Sequence, residues 1–195
     1  MSITINHQTN DISATSGSLT IDGAAAGGGG GALEYISTAT ITSSTSTVDI
    51  ALPSGYNVFQ IKFNLYASAA AHLCMAYSED SGSTFLVTDY IIFGYNQTFT
   101  SNTANTSADY SGWISSQRGM HNSGTIDIFN AAASSKTMFN SYSTTFNVSS
   151  PVSYIQKSSG LSNHQTARIN TVQMRSTGAF VWNTGKFILY GMKEA

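Results

Sequence analysis

From Phe59 to Leu65 the chain alternates without a fault: Phe59, Ile61, Phe63 and Leu65 share one parity, Gln60, Lys62 and Asn64 the other. A period of two puts successive side chains on opposite faces of a strand, so this stretch predicts a half-buried β-strand, the strongest in the chain. Thr47-Val48-Asp49-Ile50-Ala51-Leu52 alternates in the same way and stops at the turn signal Pro53-Ser54-Gly55. His72 to Tyr77 carries Leu73, Met75 and Tyr77 on one side, and with the 59–65 strand it predicts a hairpin. Residues 86 to 95 bring Tyr90, Ile91, Ile92, Phe93 and Tyr95, and the polar run from Gln97 to Ser107, without periodicity, reads as a long loop. Further strands are expected at 110–117, 125–130, 137–147, 152–156, 167–175, 179–183 and 186–192. No segment shows a helical period. About ten short strands divided by Ser, Asn and Gly turns predict an all-β fold, an antiparallel β-sandwich of jelly-roll type.

The first residues behave differently. Ile3 and Ile5 alternate with polar neighbours, Ile12 stands alone between turn signals, and Leu19 and Ile21 resume the alternation before Gly23-Ala24-Ala25-Ala26 and the run Gly27, Gly28, Gly29, Gly30 and Gly31. Residues 1 to 26 hold too few large apolar side chains for a core of their own. Five consecutive glycines lack the Cβ that restricts the backbone, so ordering them costs more entropy than ordering any other pentapeptide. The division predicted is an N-terminal attachment arm and glycine hinge over 1–31, followed by a β-sandwich body over 32–195. Strands as short as those of the arm need a pairing partner.

Composition narrows the function classes. Charged residues are 9% of the 195, and 8 Lys and Arg against 10 Asp and Glu give a net charge of −2 with no basic stripe, which argues against a nucleic-acid partner. Hydrophobic residues at 41% separate the chain from disordered sequences. The single cysteine, Cys74, rules out an internal disulfide and a multi-cysteine zinc site, and in an alternating strand it reads as a buried, inert thiol. No apolar run approaches the length of a membrane span, and the first residues have neither a charged nor an apolar leader region, so synthesis without export by a signal peptide is expected.

Chemistry-bearing residues are few and scattered. His7, His72, His121 and His164 never come at metal-ligand spacing, no facing pair of carboxylates can be read from the acids, and the glycine run lacks the Lys-Ser/Thr of a phosphate loop. No enzyme activity, cofactor or metal is expected. Ser78-Glu79-Asp80-Ser81-Gly82-Ser83-Thr84-Phe85 resembles the Asp-box, a hairpin motif of sialidases and other glycan-handling β proteins. Its chemistry is that of a turn: Asp80 accepts backbone N–H groups with Ser78 and Thr84 beside it, Gly82 supplies positive φ, and Phe85 returns to the core. A sialidase-like propeller would need several copies and clustered arginines, whereas one copy occurs here and Arg118, Arg168 and Arg175 lie apart. Tyr95, Phe99, Tyr110 and Trp113 surround the expected loop and are the candidates for a ligand or subunit contact, although aromatics at strand positions are more often core.

Three segments carry a family resemblance: the arm from Ile5 to Ala14 with Ser18 to Gly23 and the glycine run, the Leu52-Pro53-Ser54-Gly55-Tyr56 turn with the next strand and the Ser78–Phe85 hairpin, and the ending from Gly185 to Lys193. Together they resemble virion structural proteins of tailed bacteriophages of the cyanophage and marine-phage type, of the tail-fibre, appendage or head-decoration kind. The resemblance leaves residues 96 to 166 uncovered. It implies a β-sandwich, commonly trimeric, held on the particle by its N-terminus through Ile3, Ile5, Ile12, Leu19 and Ile21. It also implies a location in the virion, assembled in the host cytoplasm, with other virion proteins as partners, a homotrimer, and a host-surface glycan as the rival partner for the aromatic patch. A capsid-cement protein and a carbohydrate-binding module are the alternative readings.

Overall fold

A computed structural model of the chain describes residues 33–69, 72–86, 121–134, 136–146, 155–162, 165–176 and 181–193 in full, and the backbone of 3–6, 11–14, 20–21, 24–25, 90–96, 99–105, 115–116 and 153–154. All elements among these residues are strands. The first four are β1 (Ile3–Asn6), β2 (Asp11–Ala14), β3 (Thr20–Ile21) and β4 (Ala24–Ala25), followed by β5 (Leu33–Ile41), β6 (Thr47–Ala51), β7 (Tyr56–Ala67) and β8 (His72–Ser78). Then come β9 (Tyr90–Asn96), β10 (Phe99–Asn105), β11 (Ser115–Ser116), β12 (His121–Phe129), β13 (Met138–Phe146), β14 (Ser153–Ser162), β15 (Thr171–Ser176) and β16 (Trp182–Lys193).

Every pairing is antiparallel. One sheet has the order β10-β9-β14-β13-β12-β7-β16-β5 and a second the order β11-β8-β15-β6. Strip β9, β10, β13 and β14 from the larger sheet and what remains is β5-β16-β7-β12 facing β6-β15-β8-β11, the strand order of a jelly roll built from two interlocked Greek keys. The sequence insertions that carry the extra strands widen one sheet and leave the other at four. β1 pairs with β2 and β3 with β4 as two separate two-stranded units, so Ala24 and Ala25, at the end of the arm just before the glycine run, are in a strand pair.

The core lies between the sheets. Phe59, Ile61, Phe63 and Leu65 of β7 with Phe187 and Leu189 of β16 and Ile126 and Ile128 of β12 meet Leu73, Met75 and Tyr77 of β8 and Val172 and Met174 of β15. Trp182 is wholly buried, its ring edge-on to Phe187 at 5.5 Å. Burying side chains of this size contributes roughly 1.5–3 kcal/mol each, which makes this slab the main source of stability. Farther along the larger sheet the inner face turns polar: Ser141, Ser143 and Thr145 of β13, Gln156, Ser158 and Ser162 of β14 and Asn122 of β12 are all buried. There the Gln156 amide donates to the Ser158 hydroxyl at 3.2 Å.

Several expectations are corrected. The 59–65 and 72–77 strands are not a hairpin, because β7 pairs with β12 and β16 while β8 pairs with β15 and β11. Both strands carry an apolar face, and placing them in opposite sheets lets each face cover the other. The polar run 97–107 is not a loop throughout, since β10 occupies Phe99–Asn105 beside β9. An edge strand needs backbone partners on one side alone, and backbone hydrogen bonds ask for no apolar period. The strand expected at 167–175 starts at Thr171, because Arg168 to Asn170 are held in an irregular segment whose Ile169 N–H donates to Ala131 O and whose Asn170 O accepts from Leu52 N–H. The two strands expected at 179–183 and 186–192 form one strand, β16, which passes through Gly185 at φ 145 without breaking.

Candidate functional site

Two places concentrate polar and aromatic chemistry: the turn after β8, and the outer face of the larger sheet.

At the turn, β8 ends in Ser78, whose hydroxyl donates to Asp80 Oδ1 at 2.7 Å and accepts the Gly82 N–H at 2.9 Å. The Thr84 N–H reaches Asp80 Oδ1 at 2.8 Å and its hydroxyl reaches Oδ2 at 2.5 Å. Ser81 and Gly82 both take positive φ, 61° and 85°, which tightens the loop until the Leu86 N–H can donate to Tyr77 O at 2.7 Å. The Thr84 hydroxyl, first among the donors, draws the Asp80 carboxyl down to about 2, with the Thr84 N–H and the Ser78 hydroxyl next. The structure thus gathers Ser78, Asp80, Gly82 and Thr84 into one knot; Phe85, expected to return to the core, instead lies half-buried beside β15 with the Arg175 guanidinium 5.3 Å from its ring centre, and the next residue, Leu86, packs against the core.

Glu79 faces the other way and holds a distant loop: Thr166 N–H and Ala167 N–H donate to its Oε1 at 2.6 and 2.9 Å, and the Thr166 hydroxyl to Oε2 at 3.0 Å. Asn170 completes the tie, donating to Glu79 O at 2.6 Å and accepting Ser81 N–H at 2.8 Å. Both carboxylates are therefore spent on turn geometry. Among the described residues no group of three or more His, Cys, Asp or Glu is arranged to hold a metal ion. Cys74 is buried in β8, and burial pushes its thiol pKa up, with the Arg175 charge opposing weakly.

The outer face of the larger sheet is where the pattern of β13 is inverted. Its buried parity is Phe139, Ser141, Ser143 and Thr145, and its outward parity is Met138, Asn140, Tyr142, Thr144 and Phe146. Met138, Tyr142 and Phe146 are 47%, 45% and 45% exposed, so three of the four large apolar groups are half in water while three hydroxyls are shut inside with Phe139. β14 repeats this: Gln156, Ser158 and Ser162 are buried while Ile155 and Leu161 stand on the outward parity with Lys157. The register is held on both sides, with Tyr142 opposite Thr125 of β12 and Lys157 of β14, and Thr125 opposite Lys62 of β7. Lys157 Nζ is 5.7 Å from the Tyr142 ring centre, and Lys62 Nζ is 5.2 Å from that of Tyr190. Phe146 lies opposite His121, whose ring is 4.7 Å from Tyr66.

Of the aromatics singled out in the sequence, Tyr95 lies in β9 opposite Lys157 and Phe99 in β10 opposite Asn96, so both belong to the larger sheet and not to a loop. Tyr110 and Trp113 lie outside the described residues, as do Leu19 and Gly27 to Gly31. Ile3, Ile5, Ile12 and Ile21 stand in β1, β2 and β3, with their side chains outside the described set. Sequence reasoning passed over Tyr142, Phe146 and Lys157. The signal was present, since two parities of one strand compete for the core in β13 and the one richer in apolar area lost.

No protein-family model, no curated protein and no solved structure matches the chain.

Proposed function

We propose that this chain is a non-enzymatic structural protein of a tailed-phage virion, an appendage or fibre component that attaches through its N-terminal arm and carries a jelly-roll body outward. The observation that carries the reading is the layout of the arm: β1–β2 and β3–β4 pair among themselves, outside both sheets of the sandwich, and the five glycines separate them from β5 at the edge of the larger sheet. A segment whose described strands stay outside the body's two sheets and that precedes a run of glycines is mechanically suited to docking on another protein. The jelly roll is a scaffold used in viral capsids and lectins, and this supports the reading by analogy of fold. Spending Glu79 and Asp80 on turns favours a structural role over a hydrolytic one. Association as a homotrimer belongs to the same proposal, with the Tyr95–Trp113 region as the subunit contact.

The test uses particles. Virions assembled with the full chain should contain it at a fixed copy number and position by cryo-electron microscopy, and a chain lacking residues 1–31 should fail to incorporate. Normal incorporation of the truncated chain would sink the attachment role of the arm. Absence of the full chain from purified particles would sink the virion reading itself. A position between capsid subunits would convert the proposal to the cement alternative.

A further inference from the structure

We propose that the outer face of the eight-stranded sheet, from Lys157 across Tyr142 to Lys62, is a binding site for an anionic polysaccharide, a chain of sugar rings bearing carboxylates. This goes beyond the virion reading and does not depend on it.

The first argument is the inversion in β13 and β14. A strand gains most by burying its more apolar parity, yet here Met138, Tyr142 and Phe146 face out while Ser141, Ser143 and Thr145 are buried. An outward aromatic stripe on a rigid sheet, with both neighbours paired, is a preformed surface for the flat apolar faces of sugar rings. Thr125, Asn140, Thr144 and Ser159 around it offer short hydroxyl and amide groups, the partners that sugar hydroxyls need.

The second argument is charge. The eight strands contain Lys62, Lys157, Lys186 and Lys193 against Glu34 and Asp127. Lys193 is paired to Glu34 at 3.0 Å at one end, and Asp127 Oδ1 accepts the Gln60 amide at 2.8 Å. The outward parity therefore carries three lysines against the one carboxylate of Asp127, on a chain whose net charge is −2. Lys62 and Lys157 are three strands apart, about 14 Å at the usual strand spacing, so they can meet two separate charges along an extended polymer. The occupant is therefore anionic. The eight strands hold no arginine, and three lysines on a chain of net charge −2 are too few for the many phosphate contacts that hold a nucleic-acid backbone, which favours a carboxylated sugar chain. A second copy of the same face would set lysines against lysines with little acid to offset them.

The experiment is affinity electrophoresis of the full chain in native gels cast with polygalacturonate or with neutral dextran. Polygalacturonate should retard the chain at low salt, and ~0.5 M salt should abolish the retardation by screening. Lys62→Gln with Lys157→Gln should lower the apparent affinity about tenfold, and Tyr142→Ala should lower it as well, while Lys136→Gln, which removes the same charge from the β12–β13 turn, should leave it unchanged. Lys186→Gln serves as an independent variant, and a retained cooperative thermal transition confirms that each variant is folded. Equal loss in Lys136→Gln, equal retardation by dextran, displacement of the polyuronate by lower concentrations of a thymidine oligonucleotide, or a change of sedimenting mass in the lysine variants would each overturn the proposal.

Discussion

Thr84 closes on Asp80 twice, its N–H 2.8 Å from Oδ1 and its hydroxyl 2.5 Å from Oδ2, so that a surface carboxylate becomes the centre of a turn. The consequence is a pH dependence with a definite sign. Asp80 has a folded value of about 2 against an ordinary 3.8, so its contribution to stability is complete above about pH 4 and is lost as the pH falls through about 2. Melting curves taken from pH 5 to pH 2 should show a decline in the native chain that is shallower in Asp80→Asn. Parallel curves for the two would remove Asp80 from the acid response.

Glu79 and Thr166 lie 87 residues apart in sequence, yet one carboxylate there holds two backbone N–H groups and a hydroxyl. Glu79→Ala should cost about 1 kcal/mol, less than a buried charged acceptor would, because water replaces part of what is lost. The sharper readout is hydrogen exchange: the Thr166 and Ala167 amides should exchange faster while those of β7 are unchanged. Unchanged protection at 166 and 167 would show that the loop is held by other contacts.

Cys74 is wholly buried in β8 and its thiol pKa is pushed up by desolvation. A disulfide-exchange reagent at pH 8 should therefore label the native chain at the rate of its unfolding, and labelling should be immediate in denaturant. Rapid labelling in native buffer would place the thiol at an accessible surface.

Gly124 sits in β12 under the Phe63 ring, where a Cβ would overlap the Tyr142 carbonyl oxygen and stand 2.8 Å from Phe63 Cζ and 2.9 Å from Ser143 Cα. Two of these three neighbours are backbone of β13 and cannot swing away. Gly124→Ala should destabilise the chain by about 1–3 kcal/mol, and Phe63→Leu in the same chain should recover a minor part. A thermal midpoint equal to that of the native chain would mean that β12 and β13 separate at little cost.

What the residues determine by themselves is local. The alternation from Phe59 to Leu65 identifies β7 and its buried parity because a period of two needs no knowledge of the partner strand. The knot of Ser78, Asp80, Gly82 and Thr84 is equally legible, since all its bonds close within a few residues. The all-β class follows from many such segments and from the lack of any helical period.

The tertiary structure decides everything that depends on a distant partner. Adjacent β7 and β8 look like a hairpin until their apolar faces are seen to need each other across the core, which sends them to different sheets. β10 has no periodicity to read because an edge strand is held by backbone hydrogen bonds on one side. In β13 the local pattern points the wrong way: Met138, Tyr142 and Phe146 form the more apolar parity, yet the pairing of Ser141 with Ile126 and of Phe139 with Ile128 sets the register and turns them outward. Register along a strand is shared with its neighbours, so a well-packed β7 and β12 can impose a face on β13 that its own residues would not choose.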